Sequence, residues 1–288
     1  MDASRRGWLA GLFVAGCYHP TVQLDVPCTA EGACPSGQVC VSDRCVANGA
    51  PSDSSLVFDA PSDTGPSVAD APAAVTIMFK GERDVVVPAA TPMTSIAIPH
   101  PQCPKGAVMI GTIAMGISGA SVNPTINAPS GWTRVRRLDH PFDLALAVYL
   151  HVADNSEPAQ HIWTMSNAGE GVAWIACYVN VDPVNPIADE NGIVESSFGP
   201  AYTFPSVAPA VPNTMLLGVV AGHSGGVTTW TPATGTTERI DVQDGTTRSG
   251  TLVEHLDPDT GATAIMDETA SGAQDFVLLE VLALRPKP

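Results

Sequence analysis

The residues of this chain whose types and spacing suit chemistry are a serine, two aspartates, four ring side chains and the cysteines. Gly222-His223-Ser224-Gly225-Gly226 satisfies G-x-S-x-G. In hydrolases that serine is a nucleophile on a tight strand-to-helix turn. Here a Thr-rich run to Pro232 follows, which predicts no helix, and the only later histidine is His255. The match therefore reads as a Gly-rich loop, with hydrolysis as the rival. Asp257-Pro258-Asp259-Thr260-Gly261 places alternate carboxylates on a tight turn. Such carboxylates can converge on calcium, a hard cation that prefers oxygen ligands. A third acid and a distal glutamate are missing, so a plain hairpin turn competes. Leu144, Leu146, Val148, Leu150 and Val152 alternate with Ala145, Ala147, Tyr149 and His151, the period of a strand. If the next run pairs so that Leu150 meets Ile162, His151 falls opposite His161 and Tyr149 opposite Trp163. That register predicts a cross-strand face of two aromatics and two imidazoles, suited to stacking on sugar rings. Two histidines without a third ligand make no metal site. A slip of one residue would send Trp163 into the core instead. Trp132, Trp174 and Trp230 read as packing residues. Arg134, Arg136 and Arg137 read as partners of Asp139 or Asp143.

The chain has seven cysteines, an odd number. Arg5 and Arg6 precede the short apolar run Gly7 to Val14, which is too short to span a bilayer. Val14-Ala15-Gly16-Cys17 follows. This order of basic, apolar and small residues before a cysteine resembles the lipobox of bacterial lipoproteins. The resemblance implies removal of residues 1–16, lipid on Cys17 and attachment to a membrane. Two or more acyl chains are what durable anchoring requires. Tyr18 stands where an Asp would imply inner-membrane retention, which favours the outer membrane. Cys28, Cys34, Cys40 and Cys45 crowd a segment with almost no apolar residues. Such a segment needs cross-links, and two disulfides are expected in any of three pairings. The spacing lacks the C-x-x-C pairs of zinc knuckles. The stretch resembles the short Cys-rich modules that follow a lipobox, which implies a spacer or interaction knot. Cys103 and Cys177 remain, either as a third disulfide or as two buried thiols.

The elements that position these residues read as follows. Residues 47–74 are rich in Ala, Pro, Ser and Asp, contain no Lys or Arg, and predict a disordered, extended stalk. From residue 75 to 288, short β-branched runs alternate with Gly, Pro, Asn and Asp turns. The expected strands are 75–79, 94–98, 107–115, 132–138, 144–152, 160–165, 172–181, 202–207, 214–221, 236–242, 250–256, 262–266 and 275–284. The expected fold is an all-β two-sheet sandwich, jelly-roll-like, with an internal two-fold repeat. Four stretches carry the repeat: 106–116 with 213–223, 129–135 with 232–240, 161–165 with 263–267, and 174–183 with 277–286. Residues 129–137, 144–166, 172–187 and 236–241 resemble a β-sandwich domain recurrent in secreted bacterial proteins. That resemblance implies the fold and no particular activity.

Charge narrows the function classes. The chain carries −16 at pH 7, which a phosphate backbone would repel, so nucleic acid is excluded as a partner. Anchor, knot, stalk and sandwich together predict a surface-displayed, non-enzymatic binding or adhesion protein, with carbohydrate as a candidate ligand. No cofactor beyond calcium is suggested. A structural envelope lipoprotein with protein partners is the alternative, and a hydrolase using Ser224 is the third class.

Overall fold

The computed structural model describes residues 34, 38–41, 44–47, 75–117, 122–141, 143–245, 247–257, 259–261 and 266–288. Lipidation at Cys17, the pairing of Cys28 and the expected stalk lie outside the described residues. The chain divides into two units, Met1–Asp70 and Ala71–Pro288. In the first, β1 (Gln38–Val41) and β2 (Arg44–Ala47) form an antiparallel hairpin that sets Cys40 against Cys45 in register. Cys34 and Cys40 are both disulfide-bonded.

The second unit is all-β. Its strands are β3 (Met78–Val87), β4 (Met93–Pro99), β5 (Val108–Gly116), β6 (Ile126–Asn127), β7 (Thr133–His140), β8 (Leu144–Val152) and β9 (Gln160–Val179). There follow β10 (Ile187–Glu195), β11 (Gly199–Thr203), β12 (Thr214–His223), β13 (Trp230–Pro232) and β14 (Thr237–Gln243). β15 (Arg248–Asp257), β16 (Asp267–Gln274) and β17 (Phe276–Leu284) complete it. The sandwich and its internal repeat are both present. One sheet has the order β3-β9-β5-β8-β7, and its counterpart has β10-β17-β12-β15-β14. The first part of β9 also pairs with β4 and β6, just as β16 pairs with β11 and β13. Each half is thus a five-stranded sheet faced by a three-stranded one, and the two five-stranded sheets pack on each other.

This stacking explains why β5, β12 and β17 are almost entirely apolar and buried along nearly their whole length. A sheet with one wet face alternates, whereas these strands bury both faces. One face feeds the central core, where Ile110, Leu146, Val148 and Trp174 meet Leu217, Val219, Leu252 and Leu278. Each such buried aliphatic contributes ~1.5–3 kcal/mol. The other face feeds a core inside each half, with Met109, Ile175 and Trp163 in the first and Leu216, Leu279 and Trp230 in the second.

The ladders also correct the repeat's register. Thr112 pairs with Trp174 and Val219 with Glu280. With β5 and β12 aligned at Thr112 and Val219, Trp174 corresponds to Glu280, and the sequence match of 174–183 to 277–286 is slipped by three. Thr164 lies between Ser95 and Asn127, and Thr269 between Ala201 and Thr231. His161 therefore corresponds to Met266 and Trp163 to Glu268, again three residues from the sequence match. An odd slip would exchange the faces of a strand.

β9 runs unbroken through Ser166 to Gly171, where sequence suggests a turn between two strands. Gly171 permits this, with φ at +146° and room for no Cβ, since Ala114 O would stand 2.1 Å away. β10 escapes a sequence reading because it is an edge strand carrying Asp189, Glu190 and Asn191, as exposed edges commonly do. The Cys103–Cys177 disulfide is formed, with a Cα–Cα distance of 5.9 Å. It ties the segment before β5 to β9.

Charges also join the halves. The Arg248 side chain is fully buried, 2.8 Å from Asp143 and 2.5 Å from Glu170, both of the first half. Arg136 of β7 meets Glu190 of β10 at 2.5 Å. Beside that pair Glu280 points into the central core, with neither carboxylate oxygen hydrogen-bonded. Burial, then the neighbouring Glu190 charge, push Glu280 up to about 8, although Arg136 pulls the other way.

A carboxyl raised in the folded state stabilises below its unfolded value and loses that contribution as pH rises through the folded value. Stability is therefore expected to fall between pH 5 and 9, measured by urea unfolding with a chelator present. Glu280→Gln should raise stability at pH 9 by ~1–4 kcal/mol and flatten the slope. An unchanged slope in the variant would contradict the placement.

Candidate functional site

The four ring residues singled out from the sequence do come together, but by another route than the expected one. β8 pairs with β5 and β7, and β9 pairs with β3, β4, β5 and β6. β8 and β9 are not neighbours, so His151 does not sit opposite His161 in a ladder. The connection between them crosses from the five-stranded to the three-stranded sheet. Their side chains then meet face to face across the interior.

Trp132 is the centre of the group. Its ring stacks on His151 at 5.3 Å and meets His161 and Trp163 edge-on at 5.2 and 5.0 Å. Tyr149 lies 6.1 Å from Trp163 and donates its hydroxyl to Ile126 O. Gly111 makes the room, because a Cβ there would stand 2.8 Å from Trp132 and 3.0 Å from Trp163. Tyr149 and Trp163 are 2% and 0% exposed, so they offer no face on which a sugar ring could stack. The expected aromatic platform is a buried cluster.

Its polar end opens to solvent. A cleft of about 500 Å³ is lined by Ser130, His151, Asp154, Glu157, Gln160 and His161, among others. The segment after β8 builds the rim. Asp154 accepts from Ser156 N and Ser156 Oγ, a side-chain-closed turn that fixes Glu157. Glu157 Oε1 accepts from Asp154 N at 2.7 Å and lies 2.8 Å from His151 Nε2. His151 Nδ1 stands 2.8 Å from Gly131 O.

His100, Glu157 and His161 bring ligand atoms within 4.8 Å of one another, which raises the question of a metal. The hydrogen bonds answer it. Trp132 Nε1 donates to His161 Nδ1, and Cys103 N donates to His100 Nε2. A neutral imidazole whose far nitrogen accepts must carry its proton on the near one. The near nitrogens, His161 Nε2 and His100 Nδ1, are then N–H donors rather than lone pairs. Metal-bound histidines show the reverse pattern, donating through the far nitrogen. The residues do not fit a metal. They present two N–H groups, 3.4 Å apart, beside a carboxylate.

Burial lowers His161, more than Glu157 raises it, and His100 and His151 lower it further. His161 therefore stays neutral near pH 7.

The other predicted residues behave as follows. Ser224 Oγ donates to Gly226 O at 2.6 Å and shares a hydrogen bond with Thr228 Oγ1, while the adjacent His223 faces Asp143 and Asp275. The motif is a self-closed loop, as the Gly-rich reading expects. Asp257 Oδ1 accepts from Asp259 N, which closes the turn, and among the described residues these two carboxylates belong to no group of three metal-ligating side chains. Trp132, Trp174 and Trp230 are buried, and Arg137 pairs with Asp139. Sequence reasoning missed His100 and Glu157. Both lie in Pro-flanked connections, where no periodicity signals a direction.

The comparison of the two halves is informative. His151 pairs with Met109 and His255 with Leu216, so the two histidines correspond. Each reaches the carbonyl of an equivalent glycine, Gly131 or Gly235. The rest of the cluster is not repeated. Trp132, His161 and Trp163 give way to Thr236, Met266 and Glu268.

The chain matches no known protein family, curated protein or solved structure.

A histidine lowered in the folded state contributes stability above its unfolded value of 6.5, which is lost as pH falls through the lowered one. Protonation of His161 is expected to offset part of the stability that the buried acids give on acidification from pH 7.5 to 5. His161→Gln, which keeps an acceptor for Trp132, should remove that offset and so shift the urea midpoint further upward at pH 5 than in the parent chain. Identical acid sensitivity in the variant would mean that His161 is not the buried neutral group described.

Proposed function

We propose that the chain is a lipid-anchored, non-enzymatic binding protein of a bacterial cell envelope, which takes a hydroxyl-rich glycan in the His151–Glu157–His161 cleft. The single observation that carries this is a split donor and acceptor. His161 Nε2 and Glu157 Oε2 stand 3.6 Å apart on the cleft wall, too far for a good hydrogen bond. A hydroxyl between them would accept from the imidazole and donate to the carboxylate. Gln160, Asp154 and Ser130 add further donors and acceptors around the opening. A cleft with a few convergent polar groups and an apolar border, here Ile162, is the common form of a small-ligand site. The lipobox and the acidic, Pro-rich stretch support display of this cleft away from an outer-membrane surface.

A second reading has its own support. Phe198 and Val227 are 74% and 62% exposed and border the cleft beside Ser224. Adjacent exposed apolar side chains are a feature of protein contacts. That pattern suits an envelope lipoprotein with protein partners.

The test is binding of the detergent-purified full chain to an array of envelope and extracellular polysaccharides. Binding to at least one glycan is expected, weakened at least tenfold by Glu157→Gln or His161→Gln. Absence of binding, or equal binding by both variants, would refute the glycan reading.

A further inference from the structure

We propose that the second half of the sandwich holds a divalent cation of the calcium class between β14 and β16, on Glu268, Glu238 and Asp241. Glu268 points into the interior of its half, at the place that Trp163 fills in the other. It is 1% exposed, and neither carboxylate oxygen has a hydrogen-bond partner. A buried acid left in this way is unfavourable unless a proton or a cation accompanies it. The surroundings add charge of the same sign. Glu238 pairs with Val253 and Asp241 with Thr251 on the neighbouring β15. Directly paired residues share a face, and Val253 belongs to the same interior core. Glu238 Oε1 is also buried without a partner. Asp241, at the exposed edge of that face, accepts the Trp230 N–H on Oδ2 at 3.1 Å.

The twin half shows that this is not a requirement of the fold. Arg134 pairs with Tyr149 as Glu238 pairs with Val253. Where the first half has an arginine and two tryptophans, the second has a glutamate, a threonine and another glutamate. The oxygen-only donor set suits a hard cation, and calcium accepts irregular cages. Among the described residues these three acids are not a closed ligand group, so binding must draw β14 and β16 together. The Asp257–Asp259 turn, considered from the sequence for calcium, is a separate element. The inference is also independent of the glycan cleft.

Terbium luminescence on the full chain tests it, because Trp230 lies close enough to sensitise a bound lanthanide. Excitation of tryptophan should give terbium emission that calcium displaces. Glu268→Gln should weaken terbium at least tenfold, whereas Asp259→Asn should not. Calcium should also raise the thermal midpoint of the parent chain and not that of Glu268→Gln. Equal terbium binding by the parent and Glu268→Gln would overturn the site. So would a parent chain whose midpoint ignores calcium while Glu268→Gln is simply more stable, since Glu268 would then be a protonated core acid.

Discussion

The face-to-face burial of two five-stranded sheets governs this structure. β5, β12 and β17 lose contact with water on both sides because of it. Their side chains are nearly all apolar, and the few buried polar groups around them become costly. Arg248 is tolerable there because Asp143 and Glu170 surround its guanidinium. Glu280 has no such compensation from a full salt bridge and is held toward its neutral form. The central core also fixes the register of everything outside it, since β9 and β17 each carry side chains into two cores at once.

The same constraint leaves the outer layers free to differ. Both halves keep the strand order, the equivalent histidines and the glycines that accept from them. Neither the cleft nor the acid group is needed for stacking, and each occurs in only one half. In the first, Gly111 admits two indoles, and Trp132 sets the tautomer of His161. The disulfide takes part as well, because the Cys103 amide orients His100. The chemistry of the cleft is therefore set by contacts two layers from the central core.

Much of the fold is legible in the residues. The apolar runs of β5, β8, β12 and β17, the turn residues and the repeat are all visible in the sequence. What escapes has physical reasons. β10 is a polar edge strand, and β6 and β13 are too short to show a period. Gly169 and Gly171 read as a turn, yet they are what lets β9 continue past Ala114. Apolar runs align equally well when slipped, so only the ladders reveal the offset of three. The proximity of Tyr149, His151, His161 and Trp163 was legible, but their burial was not. Alternation assigns a face and cannot say whether another sheet covers it. Glu157 and His100 reach the cleft through connections whose direction depends on the whole sandwich.

The central claim is that ligand recognition resides in one half of a duplicated sandwich. Peptide-resolved hydrogen exchange of the full chain, with and without a mixed polysaccharide pool, tests it most directly. Slower exchange is predicted across residues 151–162 and around Gly131, with the corresponding segments near Gly235 and His255 unchanged. Unaltered exchange at 151–162, or equal protection of both halves, would contradict it.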